Sequence, residues 1–133
     1  MADIVVDILL ESDIVAARQA GREAARELGF GSADQTRLAT AISELTRNVI
    51  KYAGTGVCRI TDMSAGSVKM LQVEIEDSGP GIPDIDQAMT DGFTTGGSLG
   101  IGLPASKRLV QEFEIDSVPG HTKITIGISR QVL

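Results

Sequence analysis

The sequence predicts an α+β fold: a two-layer sandwich in which a mixed, mainly antiparallel sheet carries helices on one face. Three observations predict it. Stretches 12–28 and 33–53 repeat apolar residues at the three-to-four spacing of amphipathic helices. The segments around them alternate apolar and polar residues, the period of half-buried strands. The resulting order is β-α-α-β-β-α-β-β. No repeat, low-complexity tract or linker interrupts residues 1–133, so a single domain is expected.

Residues 3–10 read as the first strand, with Ile4, Val6, Ile8 and Leu10 on one face. Ser12 is the expected N-cap of a helix reaching about Leu28, whose buried face holds Ile14, Ala17, Gly21, Ala24 and Ala25. Gly29 ends it. Ser32 is the expected cap of a second helix over 33–53, with a stripe of Leu38, Ala41, Ile42, Leu45 and Val49, stopped by Gly54 and Gly56. Strands over 57–62 and 68–76 form a hairpin about the polar turn M-S-A-G-S. A short helix near 84–90 follows, then a glycine-rich lid. Pro104 belongs in the first turn of a helix expected to run to about Phe113. Strands over 114–118 and 123–129, joined at P-G-H-T, finish the chain.

Composition narrows the function. Aromatic residues are only 3% of the chain and Trp is absent, so the core must be aliphatic. A net charge of −6 argues against nucleic acid, which requires a basic patch, but not against a nucleotide met by backbone N–H groups, a metal and one or two cations. No run is long enough to span a bilayer, so no membrane partner is expected. The first residues lack the basic segment of a secretory signal, and a single Cys cannot form an internal disulfide; a cytoplasmic location is expected. Cys58 reads as a small core residue, and His121 as an exposed residue of a hairpin turn.

The chemistry concentrates between residues 77 and 103, which hold seven of the 15 glycines. Two clusters, D-S-G-P-G-I-P and G-F-T-T-G-G-S-L-G-I-G-L, flank a polar segment, the pattern of a pocket with a lid. Strand parity puts Asp77 on the side of Leu71, Val73 and Ile75, facing the core. A carboxylate there must be hydrogen-bonded. It either satisfies the backbone of the S-G-P-G turn or accepts a hydrogen bond from an adenine amino group at a pocket floor, with Gly79 and Gly81 admitting the base. On the second helix Glu44, Asn48 and Lys51 fall at about 0°, 40° and −20° on the helical wheel, beside the apolar stripe. They form either a solvated face with a Glu–Lys pair or a working one. In the second case the Asn48 oxygen suits Mg²⁺ and Glu44 is placed to accept a proton. The segment G-S-L-G-I-G-L-P leads into a helix N-terminus, an anion site if it is more than a flexible linker. Its glycine spacing is neither the Rossmann nor the P-loop pattern, and kinase H-R-D and D-F-G elements are missing.

Together these residues resemble the GHKL superfamily, which has the Bergerat ATP-binding fold of gyrase, Hsp90, MutL and histidine kinases. E-L-T-R-N-V-I-K-Y-A resembles its N-box, D-S-G-P-G-I its first glycine box and G-S-L-G-I-G-L its second. Within the superfamily the chain is most similar to the serine/threonine-protein kinases of the bacterial stressosome, through D-I-V-A-A-R-Q, A-R-E-L-G-F-G, A-I-S-E-L-T-R-N, D-S-G-P-G-I-P-D-I and D-G-F-T-T-G-G. The resemblance implies ATP and Mg²⁺, with Glu44 as catalytic base, Asn48 as metal ligand and Asp77 recognising adenine. It implies that Gly79, Gly81, Ile82, Gly96, Gly97, Leu99, Gly100, Ile101 and Gly102 line the nucleotide. Thr94, Thr95 and Lys51 would lie near the phosphates. Thr122 would reach the adenine, although the family's G-x-G-T turn reads P-G-H-T here. Implied partners are STAS-domain scaffold or antagonist proteins, phosphorylated on Ser or Thr, and a phosphatase engaged after release. An anti-sigma factor that binds without needing to phosphorylate shares the same boxes and is the alternative. A gyrase- or MutL-type ATPase needs a longer lid and a further domain, and a histidine kinase needs a helix bearing a phosphoacceptor His.

Overall fold

The computed structural model describes residues 3–82, 89 and 103–132. Five strands, β1 (Ile4–Ile8), β2 (Gly56–Asp62), β3 (Val68–Asp77), β4 (Glu112–Val118) and β5 (His121–Gln131), form one sheet ordered β1-β2-β3-β5-β4. Every pairing is antiparallel. Alternation decides which face is covered. Cys58 and Ile60 of β2, Leu71, Val73 and Ile75 of β3, and Ile124, Ile126 and Ile128 of β5 are all buried on one side. Gln72, Glu74 and Glu76 point to the other. Helices α1 (Glu11–Glu27), α2 (Ser32–Asn48) and α3 (Leu103–Leu109) lie on the apolar side. Their Ala17, Ala24, Ala25, Leu38, Ile42, Leu45 and Leu103 complete a single aliphatic core. The two-layer α+β sandwich expected from the sequence is the observed one, except that the sheet expected to be mixed is antiparallel at every described pairing. The reason is that β2–β3 and β4–β5 are hairpins and the other neighbours also run in opposite directions. No helix among the described residues is long and apolar enough to cross a membrane.

Three boundaries differ from the sequence expectation, each for a local reason. The cap of α1 is Leu10 rather than Ser12. The Asp13 carboxylate reaches back to accept the N–H groups of Leu9 and Leu10, both at 2.9 Å, and a charged acceptor at a helix N-terminus outcompetes a hydroxyl. The second helix does not run as α-helix to Ala53: α2 ends at Asn48 and Val49–Ala53 form a π-helical turn. Gly54 closes that turn at φ +90°, its N–H donating to the Val49 carbonyl at 2.8 Å. Helix α3 ends at Leu109, short of Phe113. The Gln111 N–H already donates to the Gly127 carbonyl at 3.1 Å, and Phe113 pairs with Ile126 in the sheet. Its apolar side chain serves strand alternation with Ile115, not the helical face.

Cys58 is fully buried, and loss of hydration pushes its thiol up to about 12, so the sulfur is an inert core group. The short helix expected near 84–90 and the lid from Pro83 to Gly97 lie, apart from Met89, outside the described residues. So do Thr94, Thr95, Gly96, Gly97, Leu99, Gly100, Ile101 and Gly102.

Candidate nucleotide-binding site

A pocket opens between the end of α2, the end of β3 and the start of β5. Its walls are aliphatic: Leu45 and Val49 from the helix, Ile75 and Ile124 from the sheet, Ile82 and Leu103 from the flanking segments. Against these walls stand the polar side chains of Asn48, Asp77 and Thr122, with Tyr52 beside them. An apolar slot with a few convergent polar groups is the usual form of a small-molecule site.

The sheet register brings the polar groups together. Asp77 is paired directly with Thr122 across β3 and β5, and both point to the helix side. The Asp77 Oδ1 accepts the Gly79 N–H at 2.9 Å, so the carboxylate does shape its own turn. A carboxylate carries about four acceptor positions on its two oxygens, which leaves capacity for a ligand donor. Thr122 Oγ1 lies 2.7 Å from Ser117 Oγ, and Ser117 Oγ also accepts the Ile82 N–H at 2.8 Å. The Gly120 N–H donates to the Gly79 carbonyl at 3.1 Å. The glycine turn 79–82 is thus fastened to the β4–β5 hairpin on both sides.

Glycine is required at two positions of that turn, for contacts within the protein. A Cβ on Gly79 would lie 2.6 Å from the Ala53 Cβ. Gly81 has φ +84°, and a Cβ there would lie 2.6 Å from the Val118 carbonyl oxygen. Gly81→Ala is therefore expected to lower stability by at least about 2 kcal/mol, a drop of about 5–10 °C in melting temperature. Thermal unfolding followed by circular dichroism checks this; an unchanged midpoint would contradict the close approach.

Asn48, Asp77, Gly81, Ile82 and Thr122 all line the pocket, and Gly79 sits beneath it. Glu44 does not line it. One helical turn before Asn48, its carboxylate takes the Arg47 Nη1 at 2.9 Å, and its side chain is 33% exposed. Lys51 is exposed on the π turn, its Nζ 5.3 Å from the Tyr52 ring centroid. Lys51 does not line the pocket, and the π turn interrupts the α-helical spacing that set it beside Glu44 and Asn48.

Sequence reading missed several lining residues. Tyr52 and Ala53 enter the wall because the π turn carries them there. Sequence periodicity gave no signal for either, because α-helical spacing stops at Asn48. Ser117 had none either, because its role comes from register alone. His121 is not a free turn residue: it opens β5 and its Nε2 lies 2.8 Å from Glu76 Oε2.

Residues 33–131 match the family described as histidine kinase-, DNA gyrase B- and HSP90-like ATPase. The chain is 56% identical over 116 residues to the serine/threonine-protein kinase RsbT of Bacillus subtilis (strain 168), a match spanning 87% of each chain. It is 32% identical over 87 residues to an anti-sigma F factor of Thermoanaerobacter sp. (strain X514), covering 61% of this chain and 59% of that protein. The crystal structure of the RsbU and RsbW domains of Rv1364c from Mycobacterium tuberculosis superposes with a TM-score of 0.69 at 18% identity, over 99% of this chain and 34% of that one. The catalytic domain of the histidine kinase ThkA superposes with a TM-score of 0.58 at 17% identity, over 96% of this chain and 95% of that one. These two likenesses establish the fold, and the sequence matches go further. The chain belongs to the histidine kinase-, DNA gyrase B- and HSP90-like ATPase family, in the company of the serine/threonine-protein kinase RsbT.

Proposed function

We propose that this protein is a serine/threonine-protein kinase that transfers the γ-phosphate of ATP to a STAS-domain partner of a stressosome and acts as a partner-switching regulator. The observation that carries the reading is the 56% identity to a serine/threonine-protein kinase along 87% of both chains. The pocket chemistry is consistent with it. Adenine would lie between the aliphatic walls, with its amino group donating to Asp77 and Thr122 beside it. Gly96, Gly97, Leu99, Gly100, Ile101 and Gly102 would follow the phosphates, with Thr94, Thr95 and Lys51 near them.

Asn48 lines the pocket wall, and its side-chain oxygen would be the metal ligand. Mg²⁺ takes only one or two protein oxygens when phosphates provide others, so the residues present fit an ion that arrives with ATP. When bound it would offset the charge that develops on the phosphates. Glu44, one turn away, would take the proton of the partner's hydroxyl as its oxygen bonds to the γ-phosphorus. The bond from that phosphorus to the bridging oxygen breaks and ADP leaves. Phosphorylation would lower affinity for the partner and free the kinase to engage a phosphatase. The same reading places the protein in the cytoplasm.

The second reading is a nucleotide-dependent anti-sigma module, favoured by the match to an anti-sigma F factor. That match is shorter and less identical, so the kinase reading stands first. Incubation with γ-labelled ATP, Mg²⁺ and candidate STAS-domain proteins is expected to label a Ser or Thr of the partner. Tight binding of a sigma subunit with no transfer to any such partner would reverse the order.

A further inference from the structure

The nucleotide pocket lies on the covered face of the sheet, but part of what holds its floor lies on the open face. Glu76 and Asp77 are consecutive in β3, and His121 and Thr122 are consecutive in β5. Strand alternation sends Asp77 and Thr122 into the pocket and Glu76 and His121 out of the opposite face. There His121 Nε2 and Glu76 Oε2 meet at 2.8 Å.

This contact ends a chain of charged groups across three strands. Lys123 Nζ lies 3.5 Å from Glu74 Oε2. Arg59 Nη1 lies 3.9 Å from Glu74 Oε1 and 3.8 Å from Glu76 Oε1. From the neighbouring strands, Asp116 is paired with Lys123 on β4, and Asp7 of β1 is paired with Val57, which is itself paired with Glu76. Among the described residues, Lys123 stands directly opposite Glu76 in the β3–β5 register, and His121 and Arg59 are the groups whose nitrogens approach its carboxylate.

The position matters because both strands end here. Beyond Asp77 the chain leaves β3 for the glycine turn, and before His121 it turns through Pro119 and Gly120, with Gly120 at φ +91°. On the pocket side, the Gly120–Gly79 and Ile82–Ser117 hydrogen bonds hold the turn to the hairpin. The His121–Glu76 bridge is the fastening from behind, one residue from each of the two side chains that meet the ligand.

We propose that His121 is a positioning residue for the nucleotide: by bridging Glu76 on the open face, it fixes the strand ends that aim Asp77 and Thr122 into the pocket. The bridge sets the affinity for the base and leaves the transfer step alone. This rests on the nucleotide-binding reading of the pocket.

The test compares wild type with His121→Ala, His121→Gln, Glu76→Ala and the His121→Ala/Glu76→Ala double variant. Calorimetry gives ATP affinity, and partner phosphorylation gives KM and kcat. His121→Ala and Glu76→Ala are each expected to weaken ATP binding about fivefold, the effect of losing a partly exposed bridge. KM for ATP should rise by the same factor while kcat stays at the wild-type value. The double variant should be no weaker than Glu76→Ala alone, because that single variant already removes the His121 contact together with the Arg59 one. His121→Gln, whose amide donates to the Glu76 carboxylate, should recover most of the affinity. A purely structural role would instead lower kcat through loss of folded enzyme at unchanged KM, and that outcome would overturn the proposal. Unchanged affinity in both single variants, or fully additive losses in the double variant, would overturn it too. Should His121→Ala fail to fold, Glu76→Ala cuts the bridge without touching the turn. If wild type itself does not bind ATP, the nucleotide reading fails first, and this inference with it.

Discussion

Replacing Glu44 with glutamine is expected to lower phosphoryl transfer by about 10²- to 10⁴-fold, the range for loss of a general base, while ATP affinity stays nearly unchanged. The separation follows from where the side chain is. Glu44 shares the α2 face with Asn48 but does not line the pocket that would take the base. Its carboxylate is turned to Arg47 at the exposed edge of the helix, where on the kinase reading a partner hydroxyl would approach. Glutamine keeps the length and helix propensity of glutamate. The Arg47 pair it loses is half-exposed and worth at most about 1 kcal/mol, so the fold survives. Single-turnover transfer to a partner, beside calorimetric ATP binding, separates the two effects. Transfer at the wild-type rate would remove Glu44 from the mechanism.

Much of this fold was legible because burial in an aliphatic two-layer sandwich leaves a period in the sequence. The parity argument that pointed Asp77 inward needed only Leu71, Val73 and Ile75, and β3 keeps that parity to its last residue. The hairpin of β2 and β3 was legible for the same reason. What period does not encode is competition between local partners. Whether Ser12 or Asp13 caps α1 depends on which oxygen reaches the free N–H groups. Whether Phe113 extends a helix or begins a strand depends on Ile126, which lies 13 residues later in sequence. The π turn is the sharpest case. Helical spacing counted Lys51 beside Glu44 and Asn48 and did not anticipate that Val49–Ala53 leave α-helical geometry, where Tyr52 and Ala53 line the pocket. The contact of His121 with Glu76 joins residues 45 apart, and no local pattern announces it. For the glycines of the second box, only the sequence speaks.

Asp77→Asn separates the two roles that the sequence left open for this carboxylate, and the expected loss is in binding. In the structure Asp77 Oδ1 accepts the Gly79 N–H at 2.9 Å, so the turn role is present. Asparagine fulfils that role as well, because its carbonyl oxygen accepts the same bond and Asn is at home in such turns. The other terminal atom changes from an acceptor to an NH₂ donor. An adenine amino group would then face a donor in place of a carboxylate, losing a hydrogen bond to a charged acceptor. Such a bond is worth about 1.5–3 kcal/mol, so ATP affinity should fall roughly ten- to a hundredfold. The melting temperature without nucleotide should stay close to that of wild type. Asp77→Ala serves as the control, since it removes both roles and should lose stability as well as binding. If Asp77→Asn binds ATP as tightly as wild type while Asp77→Ala does not, the carboxylate is only a turn former. The base would then be recognised through Thr122 and the backbone of the glycine turn, without the charge.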